Sequence, residues 1–228
     1  MRSIRHRRQL AVLTIGLGLA IQLAVAPSAA ADSGKAVTHA HRADGMTRGE
    51  LMGQAWSEWY SSPASTQFQC MRLGKTGHVL LAADPNTTCT LERSDPVLLF
   101  FGTTCDNVVD PLVDPSWYAA DKKAQRKCAK AWDSKLIADE KVTVDHGKPV
   151  DIHTRCYEAF SPQEHVFMPK GNFYGVSARW ATFVAHGWPA LVDHLSLGLH
   201  TIDFEVDWAG GEPDISTRTV NVVPRHDD

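Results

Sequence analysis

Cys156 sits three residues after His153 and nine before His165, with Asp151 and Glu158 close by in the chain. A thiol, two imidazoles and two carboxylates are the ingredients of a cysteine nucleophile. Such a thiolate must be favoured by a neighbouring imidazolium or helix N-terminus, and the imidazole needs a further group to orient it. Spacing argues against the direct pair. Residues 153 and 156 differ by an odd number, so on a strand their side chains leave by opposite faces unless a bulge intervenes. Cys156 is therefore expected to be an inert free thiol, buried beside a sheet. The same histidines could hold a metal: His153 and His165 with Asp151 form one nitrogen and oxygen set, and His39-Ala-His41 with Asp44 forms another. Neither pattern is specific and no H-E-x-x-H occurs, so the expectation is a protein without metal or other cofactor.

Other chemistry finds little support. There is no G-x-S-x-G for a nucleophile elbow, no GxxxxGK[ST] to cradle phosphates and no G-x-G-x-x-G. Asp203, Glu205 and Asp207 alternate on one strand and could set paired acids in a groove. Outward acids on a half-buried strand are expected in any case, so they read as a solvated face. Seven tryptophans invite a different reading, because exposed aromatics stack on sugars. Trp180 and Trp188 are the candidates for ligand binding, with Trp188, in His-Gly-Trp-Pro at a strand end, the better placed for exposure. Trp208 shares a face with Ile202, Phe204 and Val206 and is expected in the core.

The elements that position these residues begin after an export signal. Nine basic-rich residues, an apolar stretch from Leu10 to Ala26, and Ala29-Ala-Ala31 before Asp32 have the three-part layout of a secretory signal peptide over residues 1–31. Its removal takes away four arginines and leaves a more acidic chain, which disfavours nucleic acid as a partner. No later segment is apolar enough to span a membrane. An oxidising compartment and five cysteines imply two disulfides and one thiol left over, Cys156. Cys70 and Cys89 flank one predicted strand, and Cys105 ends another while Cys128 lies on the inward stripe of the second helix, so sequential pairing, Cys70 with Cys89 and Cys105 with Cys128, is preferred. Without any C-x-x-C, zinc and thioredoxin-like redox sites are disfavoured.

Residues 32–45 are small, polar and aperiodic and read as a flexible leader. Thr47 and Glu50 then form a capping box, and Leu51, Met52, Ala55, Trp56 and Trp59 recur at helical spacing until Pro63, which predicts a helix burying two tryptophans. Short apolar runs from His78, Val97, Lys141 and Glu164 read as strands, with a hairpin turning at His146-Gly147. Strict alternation from His200 to Trp208 predicts another strand, and AGGEPD turns the chain into ISTRTVNVV. A second helix is predicted around PSWYAADKKAQRKCAKAWDSK, with Trp117, Ala120, Ala124, Cys128 and Ala131 as an inward stripe. Lys122, Lys123, Arg126, Lys127 and Lys130 fall on the opposite face. That basic face reads as a solvated surface, with docking on an anionic cell-wall polymer as the functional alternative.

Several blocks resemble a known family. Trp56-Ser-Glu-Trp59, CMRLGKTGHVLLAA, TCTLERSDPVLLFFGTTCDN, CAKAWDSKLIADEKVTVDHGKPVDI and LSLGLHTIDFE run in the order found in an uncharacterised family of secreted, signal-peptide-bearing bacterial proteins, mostly from actinomycetes. The resemblance spans most of the chain from Met46 to Val223. It implies pairing among the first four cysteines and a β-rich, sandwich-like domain carrying helices, and it lends no catalytic residue.

Together these readings give a mainly β chain with two helices. The expected fold is a single antiparallel β-sandwich-like domain over residues 46–224, stapled by disulfides, with a short tail at 225–228. The expected function is that of a secreted, extracellular or cell-envelope binding domain without catalysis, whose partner is an envelope polymer or carbohydrate. The alternative is a secreted hydrolase or metal-dependent enzyme with its site near His153, Cys156 and His165. An enzyme requires those residues to converge in a pocket, whereas a binding module requires an exposed aromatic or polar groove.

Overall fold

A computed structural model describes residues 33–66, 69–108 and 116–225; the expected signal peptide and the last three residues of the tail lie outside them. In chain order the first elements are α1 (Ser33–Ala36), β1 (Val37–Thr38), β2 (Arg42–Ala43), β3 (Met46–Thr47), α2 (Arg48–Tyr60), β4 (Cys70–Leu73) and β5 (Val79–Ala82). Then follow β6 (Thr88–Glu92), β7 (Val97–Leu99), β8 (Gly102–Asp106), α3 (Lys122–Leu136), β9 (Ile137–Val144) and β10 (Val150–Asp151). The chain closes with β11 (Ala159–Phe160), β12 (Glu164–Met168), β13 (Arg179–Gly187), β14 (Ala190–Val192), β15 (Gly198–Trp208) and β16 (Asp214–Val223). The fold is mainly β, with two long helices.

Two sheets, ordered β1-β14-β7-β5-β4 and β10-β9-β15-β16-β6, face each other as a sandwich. Their shared core joins Leu80, Val97, Leu99 and Val192 of the first to Val142, Ile202, Phe204 and Val220 of the second. The alternation on β15 places His200, Ile202, Phe204 and Val206 inward. Most pairings are antiparallel, as expected. Two are parallel, β16 with β6 and β5 with β7; the second pair is joined by a crossover through β6 in the facing sheet.

A third sheet is built on β13, which carries β8 along one edge and β12 then β11 along the other. Helix α2 fills the space between this sheet and the outer face of the first. Its Leu51 and Ala55 pack on Leu73, Leu81 and Leu98, and its Met52 and Tyr60 pack on Val166, Phe183 and Ala185. Full burial of a Leu or Met side chain contributes roughly 1.5–3 kcal/mol. The helix starts where the capping box places it. The Glu50 N–H donates to the Thr47 hydroxyl at 3.2 Å, and the Thr47 N–H donates to the Glu50 carboxylate at 2.6 Å.

The chain crosses between the first and third sheets twice, from β7 to β8 and from β13 to β14. At this crossing Gly102 and Gly187 are register partners. A Cβ on Gly102 would lie 2.1 Å from the His186 carbonyl, and one on Gly187 would lie 2.4 Å from that of Phe101. Only glycine lets the two backbones approach so closely while they bend.

Three sequence expectations need correction here. Residues 33–45 do not form a free leader: β1 pairs with β14, Ala36 and Val37 enter the core, and the Asp44 carboxylate accepts hydrogen bonds from the Thr76 and His78 N–H groups at 2.7 and 3.2 Å. Two apolar residues and one turn suffice to anchor this segment, too few for a periodic signal. The β9–β10 turn falls one residue earlier than expected, with positive φ at Asp145 and His146. The Asp145 carboxylate fixes it by accepting from the Thr201 N–H at 2.9 Å and pairing with His200 Nδ1 at 2.6 Å.

Helix α3 shows the largest departure. The expected inward stripe is turned outward: Ala120, Ala124 and Ala131 are exposed, and Cys128 is only half-buried. The buried residues are Gln125, Ala129 and Asp133, one every four positions. Gln125 is fully satisfied, since its Nε2 donates to the Ala119 and Thr182 carbonyls at 3.1 and 3.0 Å and its Oε1 accepts from Gln163 at 2.9 Å. A polar stripe can face a sheet when every group on it finds a partner. Disulfides join Cys70 to Cys89 and Cys105 to Cys128, the second tying α3 to β8.

Candidate functional site

Strand β8 separates two polar groupings because its side chains alternate. On the α2 side, Thr104 and Asp106 meet Tyr60, whose hydroxyl donates to the Asp106 carboxylate at 2.7 Å. With that proton committed, the Thr104 and Tyr174 hydroxyls, each 2.9 Å away, donate to the Tyr60 oxygen. Burial holds the Tyr60 phenol well above its ordinary value, with Tyr174 and Asp106 adding to the effect.

Above this network opens a cleft of about 510 Å³. Its walls are the rings of Trp56, Phe101, Trp117, Phe173, Tyr174 and Trp208, with Thr103 and Thr104 as its hydroxyl-bearing residues besides Tyr174. A second depression of about 350 Å³ shares Trp56 and Phe173 with it and adds Trp59. Trp56 and Trp59 are half-buried rather than core residues and meet edge to face at 4.8 Å. Trp208 is also half-buried, edge-on to Phe101 at 4.9 Å. It packs against the core cluster of Ile202, Phe204 and Val206, as expected, but lies at its edge, where the β15–β9 register shifts between Asp207 and Trp208. The cleft's hydroxyls are already engaged, those of Thr104 and Tyr174 to Tyr60 and that of Thr103 to the Ala129 carbonyl at 3.1 Å.

On the α3 side of β8 and β13 lies a buried charged layer. His186 is fully buried, with Nδ1 2.6 Å from Asp133 Oδ2 and Nε2 3.1 Å from Glu158 Oε1. Satisfying both contacts needs hydrogen on both ring nitrogens, or a proton on one carboxyl. Burial pushes the Asp133 carboxyl up, whereas the Lys130 ammonium holds that of Glu158 down. Glu140 is fully buried, and neither oxygen makes a hydrogen bond of good geometry; burial, then the charge of Asp133, pushes it well above the usual carboxylate range. An imidazole closed off from solvent with both nitrogens occupied has no free position for a substrate. The layer is a structural joint.

The residues marked by sequence for catalysis or metal binding do not converge. His153 packs at a tilt against Trp188 with ring centroids 3.9 Å apart, whereas His165 is the register partner of Thr182. Six residues of extended chain separate Thr182 from Trp188, roughly 20 Å. Cys156 is exposed rather than buried, because it lies in the turn before β11 and not in a sheet; its carbonyl accepts from the Arg48 guanidinium. In the leader, His39 meets the Tyr157 ring at a tilt, with centroids 5.1 Å apart, and His41 lies by Arg48, which itself covers Tyr157. Among the described residues no three His, Cys, Asp or Glu side chains gather to hold a metal. Glu205 and Asp207 are bound, with Asp139, to one ammonium, that of Lys141, at 3.0 to 3.3 Å.

Trp188 is buried, 7% exposed, which overturns its expected role at the surface; Pro189 leads it directly into β14 and the core. Trp180 is 71% exposed and meets the half-exposed Phe167 edge to face at 5.6 Å, a contact that does not make a flat stacking platform. The sequence marks Trp56, Trp59 and Trp117 only as buried faces of helices, and neither these nor Phe101, Phe173 and Tyr174 as residues of a binding site. The available signal was the aromatic density of SEWYSSP and NFYG, with tryptophans three apart on a helix that had only one side to bury.

No family model and no curated protein matches the chain. Among solved structures, the solution structure of amebosin is similar at 13% identity, covering 64% of this chain and 96% of that one, with a TM-score of 0.23. A score so low carries no argument about fold or function.

Proposed function

We propose that the chain is an exported, non-enzymatic binding domain whose ligand lays an apolar chain or ring in the aromatic cleft. One observation carries the reading: the cleft presents the faces and edges of six aromatic rings, while its three hydroxyls are already bonded within the protein. Ligand sites combine an apolar lining with a few placed polar groups. Here the polar allotment is small, which favours an alkyl, isoprenoid or aromatic ligand over a carbohydrate, whose many hydroxyls need partners. The signal-like leader and the two disulfides support an oxidising compartment. The family resemblance to secreted actinomycete proteins accords with it.

Fluorescence titration of the mature protein with anilinonaphthalene sulfonate and with a long-chain alcohol as competitor tests this. Saturable probe binding, displaced by the alcohol and weakened at least tenfold by Trp56→Ala or Trp117→Ala, is the expected result. Binding of an oligosaccharide instead, unaffected by those substitutions, would sink the apolar reading. Turnover of any ester or glycoside that survives Cys156→Ser and His153→Ala would show a catalytic site elsewhere.

A further inference from the structure

The outward rotation of α3 leaves a basic ridge open to solvent. Its 15 residues carry six of the chain's 23 lysines and arginines, and its one acid, Asp133, is buried on the opposite face. Lys122, Lys123, Arg126, Lys127 and Lys130 line one shallow concavity together with Phe160. Arg126 stacks 3.8 Å above the Phe160 ring, and Lys130 pairs with Glu158. Among the described residues Lys122, Lys123 and Lys127 have no carboxylate partner. This gathering stands on a chain whose formal charge is −3, so the cations are segregated and not merely abundant.

We infer that this ridge is a docking site for a linear, phosphate-bearing polyanion outside the cell. The cations that share this face run along eight helical steps from Lys122 to Lys130, about 12 Å. A single phosphate can touch two or three of them, whereas a chain of phosphates can match the row. The cations share this face with the Phe160 ring, which Arg126 covers, so little apolar surface is offered to a bilayer; Ala124 and Ala131 fall on the neighbouring flank with Cys128 and Trp132. An interfacial helix needs a large apolar face to insert, and here the opposite face is polar and held against β8 and β13. The chain as a whole is acidic, which disfavours duplex nucleic acid. The site shares no residue with the aromatic cleft and stands or falls independently of it.

The test is a salt titration of binding to sodium polyphosphate by the mature protein. The triple variant Lys122→Gln/Lys123→Gln/Lys127→Gln is compared with Lys75→Gln/Lys148→Gln/Lys170→Gln, which changes net charge equally at exposed sites elsewhere. The expected result is at least a tenfold loss of affinity for the first triple and at most a twofold loss for the second. The slope of log affinity against log salt should fall by about two in the first only. Equal losses in the two triples, or no binding by the parent protein at physiological salt, would overturn the inference. So would tighter binding to phosphatidylglycerol vesicles or to duplex DNA than to polyphosphate at equal phosphate concentration.

Discussion

Helices α2 and α3 pack on opposite faces of the β13 sheet by opposite chemistry. The first buries Leu51, Met52 and Ala55 between two sheets; the second buries Gln125, Ala129 and Asp133 against His186, Thr182 and Thr103. Hydrophobic burial is tolerant of exact placement and nearly independent of pH, whereas a buried ionic joint depends on geometry and on protonation. The sheet is therefore clamped by one contact that is forgiving and one that is exacting.

The comparison can be broken most severely at the ionic joint. Asp133→Ala leaves His186 facing Glu158 alone in a buried site, and urea unfolding should show a loss of about 3–5 kcal/mol. Leu51→Ala on α2 should cost about 2–4 kcal/mol by the same measurement. The two losses should differ in kind: that of Leu51→Ala stays level across pH, whereas that of Asp133→Ala changes with it. Ala129→Leu, which overfills the contact of α3 with β8, should cost about 1–3 kcal/mol. Ala124→Leu on the outward stripe should change stability by no more than about 0.5 kcal/mol. Equal effects of these two leucines would return α3 to the orientation expected from sequence.

Glu140 sharpens the pH side of the comparison. Its folded carboxyl titrates above its ordinary value, so between the two values the folded protein holds a proton that the unfolded chain has lost. Stability from this group is accordingly highest at acid pH and falls as pH rises through that window. Glu140→Gln cannot ionise, and thermal melts should show it gaining on the parent by roughly 1 kcal/mol near neutral pH, with the gain vanishing in acid. Glu158 has the opposite sign: its carboxyl is held down by Lys130, so its contribution is present at neutral pH and is lost as pH falls through the folded value.

What the sequence revealed follows the same division. The capping box at Thr47 and Glu50, the alternation on β15 and the bracketing of strands by cysteines are local patterns, legible without knowing any distant partner. Helix α3 was misread because alanines and a cysteine at helical spacing resemble a core stripe. Gln125 and Asp133 become core residues only once Thr182 and His186, more than fifty positions away, supply their partners. The candidate site was hidden for a related reason. Trp56, Phe101, Trp117, Tyr174 and Trp208 come from separate segments, and Trp208 sits at the edge of the core face that its alternation assigns to it, where one side of the ring is left to the cleft. Cys156 and His153 draw notice through proximity in sequence, which a turn and a tilted contact with Trp188 then dissolve.

The exposed Cys156 has a practical consequence. It is the one cysteine not locked in a bridge, and the Arg48 guanidinium fastens its carbonyl to the first turn of α2. A maleimide dye can therefore couple at a single, anchored point without reducing the protein. Because α2 also carries Trp56 to the cleft and Trp59 to the depression beside it, energy transfer from their indoles to such a dye would convert ligand entry into an optical signal.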